Sequence, residues 1–193
     1  LKYKVTNQKF NNISNLLLTN EKVLNYFKFN QNKKNKLKNS RVNLYLNTQL
    51  KKKQVNNYDK IIICTYSENN KILNNLSKIK ESRKNRYELI EKIVVKLPKK
   101  YRKKSYVIID GKFVCLDPYL GTNYHLLSDV KYSKIEVIKK NNPIFKSVKK
   151  KYLNDKINKN IKISNFKKFI KHSSYYLPFL RDAKYVGSMF IVR

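Results

Sequence analysis

The chain has 193 residues, of which 41% are hydrophobic and 12% aromatic, and its formal net charge is +33. This hydrophobic content excludes disorder throughout, because such a chain can bury enough apolar surface to offset the entropy lost on ordering. Its apolar runs are only a few residues long, far short of the roughly 20 needed to span a bilayer, so a membrane span is also excluded.

The first part of the chain predicts helices and two strands. Residues 13–27 carry a rough helical stripe, and the Lys/Asn run at 30–39 predicts an exposed loop or helix end. Apolar and polar residues alternate over 42–46, which predicts a short half-buried strand. The β-branched run within 59–66 predicts a strand covered on both faces, as in a parallel sheet. A helix capped by Ser67, with Ile72, Leu73, Leu76 and Ile79 on its apolar face, should follow.

After position 86, the apolar residues recur at every second position, which is the period of a strand. Residues 87–97 predict an extended strand that Pro98 ends. The runs at 106–109 and 112–116 flank Asp110-Gly111, which predicts a hairpin with a two-residue turn. Further strands are expected at 124–127, 135–138 and 186–190, and a helix is expected between a cap at Ser164 and Pro178.

These elements predict an α/β (α+β) protein in two parts. Residues 1–85 should hold parallel-type strands with helices, and residues 86–193 an antiparallel sheet with a helix. The chain begins at Leu1 rather than at a methionine, and after Gly187 it ends in what the pattern predicts to be an unfinished strand. We therefore expect an interior piece of a larger soluble protein.

Lysine supplies most of the positive charge. Lys and Arg number 45 against 12 acidic residues, yet arginine, the residue that favours base recognition and bidentate phosphate binding, is rare. The chain is rich in Asn, Ile and Tyr, with three glycines and no tryptophan, which indicates A/T-rich coding. We expect the lysines to form solvated surface and do not expect nucleic acid as a partner. A polyanion-binding site is the alternative interpretation.

The cysteines and histidines do not indicate a metal site. Cys64 and Cys115 each lie in an apolar run, so we expect buried free thiols and a reducing, cytoplasmic location. His125 and His172 are far apart in the sequence and neither lies in a zinc-binding spacing. The three glycines also form no GxGxxG or Walker loop, so this stretch contains no phosphate-binding loop.

The most informative segment is 110–130. A strand ends in Asp110-Gly111, returns through Cys115 and Asp117-Pro118-Tyr119, and continues to Gly121, His125 and Leu126-Leu127. It resembles the substrate-side sheet of the FAD-dependent oxidoreductases related to D-amino-acid oxidase and sarcosine oxidase. Within about residues 40–193, the segments 42–50, 59–66 and 186–190 resemble the strand beside the FAD adenine, the strand beneath the cofactor and a later substrate-domain strand.

The resemblance implies part of an FAD-binding Rossmann-like domain followed by a mixed or antiparallel substrate domain. It implies FAD contacts at Leu50, Thr65 and Tyr66, and a substrate pocket at Tyr119, Tyr124 and His125. Tyr66 departs from the pattern, since the family often has glycine there. The family's dinucleotide fingerprint and C-terminal flavin segment would lie outside both ends of this chain.

Three functions follow as hypotheses. The first is an FAD-dependent oxidoreductase fragment acting on an amine, amino acid or related small molecule, with unknown catalytic residues and no activity alone. The second is a basic nucleic-acid-binding domain, which would gather lysines and exposed aromatic side chains on one face. The third is a non-enzymatic interaction domain with the same fold. The first is preferred because the lysines are scattered and the aromatic residues fall mostly on predicted core faces.

Overall fold

The computed structural model describes residues 2–6, 10, 12–76, 84–109, 111, 113–146 and 150–193. These form three helices, α1 (Tyr26–Lys38), α2 (Asn69–Leu76) and α3 (Phe166–Tyr176). The strands are β1 (Tyr3–Val5), β2 (Leu17–Thr19), β3 (Asn85–Lys96), β4 (Tyr106–Ile108), β5 (Val114–Tyr119), β6 (Tyr124–Asp129), β7 (Lys134–Lys140) and β8 (Lys184–Val192). The protein is thus mixed α/β, as the sequence predicted at this coarse level.

The long strand β3 organises the main sheet, in which every described pairing is antiparallel. The strand order is β4-β5-β6-β3, and β7 and β8 also pair with β3. The first half of β3 pairs with β7, its second half with β6, and β8 runs along its other edge. A separate hairpin of β1 and β2 has the register Lys4↔Leu18.

One face of this sheet carries the main hydrophobic core. Ile93 and Val95 on β3 alternate with residues of the opposite face, and their side chains are fully buried with Leu116 and Leu127 of the neighbouring strands. Phe169 of α3 covers this row. The apolar face of α3 and the period-two pattern of β3 therefore explain why the helix lies on the sheet.

A second apolar cluster lies at the other end of β3. Leu89 and Phe190 are buried there beneath partly buried side chains that include Phe145, Tyr152 and Ile161. The outer edge of β8 is covered nearby, since Ser188 and Asn158 exchange two backbone hydrogen bonds. At Ser188 the edge is therefore already paired and cannot accept another strand.

Most elements predicted after position 84 are confirmed. The strands β3 to β8 and helix α3 all form, β3 ends before Pro98, and the Ser164 hydroxyl accepts a hydrogen bond from the Phe166 amide at the start of α3. The predicted two-residue turn at 110–111 is wrong, because the two strands pair in a different register. Ile108 pairs with Val114, which leaves an odd number of residues between the strands. Of that loop, Asp110 and Lys112 lie outside the described residues.

The strand and helix boundaries predicted before position 84 are mostly wrong. Residues 42–46 and 59–65 form no strand and are largely exposed, with Ile62 87% exposed. The helix predicted at 13–27 is replaced by β2 and an extended segment, and α1 begins only at Tyr26. A buried strand needs neighbouring strands, and among the described residues before 84 only β1 and β2 pair. The predicted Rossmann-like sheet is therefore not confirmed by the part of this region that the structure describes.

Helix α2 is the prediction in this region that is confirmed. Its residues Ile72, Leu73 and Leu76 are partly buried, as the apolar pattern required, whereas Ile79 lies outside the described residues. The helix starts at Asn69, after a 3-10 turn that includes Ser67. No helix in the described ranges has the length and hydropathy to cross a membrane.

Candidate functional site

The three residues predicted to bind FAD lie in the irregular segments between α1 and α2. Leu50 is half-buried. Thr65 donates from both its backbone amide (2.9 Å) and its hydroxyl (2.8 Å) to Asn69 Oδ1, so it serves the start of α2. Tyr66 has a φ of 52° and its side chain is 69% exposed. These residues do not fit a flavin cradle, because no parallel strand or phosphate-binding turn forms beside them in the described chain.

The three predicted substrate-pocket residues are neighbours but do not share a pocket. Tyr119 and Tyr124 are paired across the β5-β6 hairpin, and His125 is paired with Pro118 and with Val95. Successive strand residues point to opposite faces, so His125 lies on the core face and both tyrosines lie on the other. The sheet therefore brings the two tyrosines together and separates them from His125.

His125 is a core residue. It is 2% exposed, and neither ring nitrogen makes a hydrogen bond of ordinary geometry to the described residues. Burial lowers the pKa of the imidazole, partly opposed by the nearby Lys104 backbone and Asp117 carboxylate. A neutral imidazole that is 2% exposed is not accessible to a substrate from solvent.

The two cysteines differ from each other in environment. Cys64 is exposed, contrary to prediction, because the strand expected to bury it does not form. Cys115 is half-buried, and its Sγ donates to Asp117 Oδ2 at 2.9 Å. Burial and the Asp117 carboxylate raise the pKa of Cys115 to about 12. It is therefore protonated at neutral pH and is no nucleophile.

A fully buried carboxylate, Glu91, joins three parts of the fold. Its Oε2 accepts from the Asn165 amide (2.8 Å), at the start of α3, and its Oε1 accepts from the Ser188 hydroxyl (2.5 Å). Ser188 is also hydrogen-bonded to the hydroxyl of Tyr185 (2.8 Å). A negative charge at a helix N-terminus is favourable. Every partner is part of the protein, so this network is structural.

Two other buried acidic side chains also bond to side chains of the protein. Asp129 is 1% exposed, and its Oδ2 lies 2.5 Å from His172 Nδ1. Glu88 is 7% exposed and forms ion pairs with Arg86, Lys134 and Arg193. Burial opposes ionisation of Glu88, but the hydrogen bonds from Arg193 and Lys134 prevail and hold its pKa below the ordinary value.

The buried acidic side chains of the sheet therefore bond to other groups of the protein, whereas most of its lysines are exposed. Among the described lysine and arginine side chains, ion pairs engage only four, which are Lys71, Arg86, Lys134 and Arg193. Most of the other lysine and arginine side chains that the structure describes form no ion pair and are exposed. The field outside such a surface attracts anions and raises their local concentration.

The described residues of 2–76 have no hydrophobic core of their own. Asn70 is the one buried residue among them, whereas the buried apolar side chains of the described chain all lie after position 84. Eighteen of its twenty-five exposed large apolar side chains lie in this first region. The exposed aromatic residues there are Tyr3, Tyr26, Phe27, Phe29, Tyr45, Tyr58 and Tyr66. Exposed apolar surface on this scale indicates an interaction surface.

Helix α1 combines this apolar surface with charge. Its thirteen residues include five lysines and no acidic residue, and none of them is buried. Asn25 caps the helix by accepting from the Lys28 amide at 3.1 Å. Phe27 contacts Tyr119 of the sheet, with ring centroids 5.7 Å apart. Phe27 therefore brings the helix against the β5-β6 hairpin, while no residue of the helix is buried.

The open side of α1 bears a shallow concavity of about 470 Å³, lined by Phe29, Asn32, Lys33, Asn35 and Lys36. The Lys33 ammonium lies 5.3 Å from the centre of the Phe29 ring. An aromatic ring with one ammonium group over it, a second ammonium group and two amides thus lie together on the solvent side of the helix. The Lys/Asn run at 30–39 was the sequence signal, but without apolar periodicity it indicated only an exposed segment.

No family model, no curated protein and no solved structure matches this chain. The described residues also include no group of three or more His, Cys, Asp or Glu side chains that could hold a metal ion.

Proposed function

We propose that the protein binds nucleic acid through its N-terminal region, residues 2–76, while the main sheet and α3 act as the folded scaffold. The observation that carries this proposal is the coincidence of exposed aromatic side chains with unpaired lysines in a region without a core. Water-exposed aromatic rings beside ammonium groups are the elements with which proteins bind stacked bases and phosphates.

The charge supports a polyanionic partner. Lysines that neutralise phosphates release condensed counterions, and this release supplies a large part of binding free energy at moderate salt. Glu88, Glu91, Asp117 and Asp129 bond to other groups of the protein, and among the described acidic residues only Glu21, Asp59, Asp155 and Asp182 are exposed and oppose this effect. The scarcity of arginine favours phosphate and stacking contacts over bidentate recognition of guanine.

The composition of α1 distinguishes nucleic acid from a membrane surface. A helix that lies in a membrane interface separates an apolar face from a basic face. Phe29, Lys33 and Leu37 follow one another at i, i+4 spacing, so one row along α1 contains both apolar and basic residues. Lys34 and Lys38, at i+7 and i+11 from Phe27, lie on the same side of the helix as Phe27. Basic and apolar side chains are therefore interleaved, as a nucleic-acid surface requires.

Oxidation of a small-molecule amine or amino acid with FAD remains a prediction from resemblance. The exposed positions of Thr65 and Tyr66 and the separation of His125 from Tyr119 give it no site in the described residues. We therefore favour the binding function.

The test is the salt dependence of binding by the full chain. Fluorescence anisotropy with a labelled mixed-sequence oligonucleotide of about 20 nucleotides should show saturable binding that persists at about 0.15 M salt, with log K falling linearly against log salt. Anionic lipid vesicles and polyglutamate are the comparison ligands. Equal or tighter binding to either would assign the surface to another partner, and no binding to the oligonucleotide would reject the proposal.

A further inference from the structure

We infer that the open side of α1 binds unpaired nucleotides, with Phe29 as the stacking platform. This inference rests on the proposed function and specifies its ligand as single-stranded nucleic acid. Phe29, Asn32, Lys33, Asn35 and Lys36 form the site, which we call the α1 site.

The orientation of the helix supports the assignment. Phe27 contacts Tyr119, and its ring lies 3.6 Å from where a Cβ on Gly121 would be. Phe29 lies two residues further along the helix and is therefore turned about 200° away from Phe27. The contact with the β5-β6 hairpin thus presents the Phe29 ring, 42% exposed, away from the sheet.

The side chains around the ring match the parts of a nucleotide. Lys33 and Lys36 supply ammonium groups for phosphates, and Asn32 and Asn35 supply amide donors and acceptors for base edges. From Phe29 to Lys36 the helix rises about 10 Å, at about 1.5 Å per residue. That length accommodates about three stacked nucleotides at about 3.4 Å each.

The aromatic ring favours unpaired bases over a duplex. Stacking needs an open base face, and in a continuous duplex both faces of each base are covered by neighbouring base pairs. Tyr26, 63% exposed, lies at the start of the same helix and offers a second ring. A duplex would contact the lysines alone and would gain nothing from Phe29.

The experiment compares Phe29→Ala with Phe113→Ala, which removes a phenylalanine of nearly equal exposure (44%) from the β4-β5 loop. Phe29→Ala should weaken binding of a single-stranded oligonucleotide about 5- to 100-fold, the range of a lost stacking contact. Phe113→Ala should bind it as the unmodified protein does, and Phe29→Trp, which keeps an aromatic face at this position, should bind it at least as tightly. Binding of the matching duplex should be unchanged by Phe29→Ala.

The outcomes separate this inference from the proposed function. If the unmodified protein binds neither strand form, the proposed function fails and the inference fails with it. If it binds but Phe29→Ala leaves single-strand affinity unchanged, or lowers single-strand and duplex affinity equally, the inference alone is overturned. Parallel RNA and DNA oligonucleotides of one sequence show which sugar the site accepts, since only RNA carries the 2′-hydroxyl.

Discussion

His172 on α3 and Asp129 at the end of β6 are joined by a hydrogen bond in which Nδ1 lies 2.5 Å from Oδ2. The Tyr132 and Tyr176 rings contact the imidazole edge to face. Asp129 also accepts from the Lys131 amide (2.8 Å) and the Tyr132 amide (3.1 Å) in the turn between β6 and β7. One buried carboxylate therefore fixes a turn of the sheet and a helix packed on it.

Asp129→Asn should destabilise the protein. The amide has one acceptor oxygen in place of two, so it can accept from the Lys131 and Tyr132 amides but can meet His172 Nδ1 only as a donor. The imidazole must then adopt the tautomer with an unprotonated Nδ1 or leave Nδ1 without a partner, at a cost of about 1–3 kcal/mol. Urea unfolding followed by circular dichroism measures this. Asp182→Asn, at an exposed position, should change the free energy of unfolding by less than about 0.5 kcal/mol. Equal effects of the two variants would contradict the structural role of Asp129.

Gly187→Ala should destabilise β8. An added Cβ would lie 2.6 Å from the Asn158 carbonyl oxygen and 2.7 Å from Ile157 Cγ2, and the nearer atom belongs to the backbone. Overpacking of this kind costs about 1–3 kcal/mol, with loss of the Asn158 bridge in addition.

Gly111→Ala is the comparison for that variant, since its Cβ would meet no atom within 4 Å and only the strain of a φ of 123° acts there. Thermal unfolding should rank Gly187→Ala as the more damaging. The reverse order would show that the segment before α3 does not lie against β8.

Stability should fall in acid through Glu88. Arg193 and Lys134 hold the pKa of this carboxyl in the folded protein below its value in the unfolded chain. The stabilisation is therefore complete above the unfolded pKa, near 4.3, and is lost as the pH falls through the lower folded pKa. Urea midpoints for the unmodified protein and Glu88→Gln should differ at about pH 7 and converge towards about pH 2. A difference that persists in acid would contradict this linkage.

The two thiols should react at different rates. Cys64 is exposed, whereas the Cys115 thiol is half-buried and its pKa is raised to about 12. A thiol reagent such as DTNB at neutral pH should therefore label one cysteine quickly and the other slowly. Cys64→Ser should remove the fast phase, and Cys115→Ser should remove only the slow one. A fast phase that survives Cys64→Ser would place Cys115 in a more open environment.

The sequence predicted the second part of the fold well because its signals are local. The alternating pattern of β3, the break at Pro98 and the apolar face of α3 each depend on a few neighbouring residues. The tertiary contacts could not be predicted from such local signals. Glu91 and Ser188 lie 97 positions apart, and no local pattern indicates that they meet.

The first part was mispredicted because burial was inferred from apolarity. The run at 61–64 has the residues of a buried strand, but no neighbouring strand is formed there to cover it, so Ile62 and Cys64 are exposed. The same error assigned the aromatic residues of this region to core faces. Exposed aromatic rings beside lysines form a binding surface, whereas buried rings do not. The exposure of these rings therefore changes the preferred function.

The central claim is that nucleic acid binds on the N-terminal region, and the salt slope of binding tests it most directly. Lys28→Gln, Lys33→Gln and Lys36→Gln together should weaken oligonucleotide binding and reduce the slope of log K against log salt by about 2, at about 0.7 for each lost phosphate contact on a single strand. The matched control is Lys99→Gln, Lys100→Gln and Lys184→Gln together, which removes equal charge from exposed positions of the sheet region. We predict that the control keeps nearly the full slope. A loss that is equal in both variants, or larger in the control, would contradict the claim.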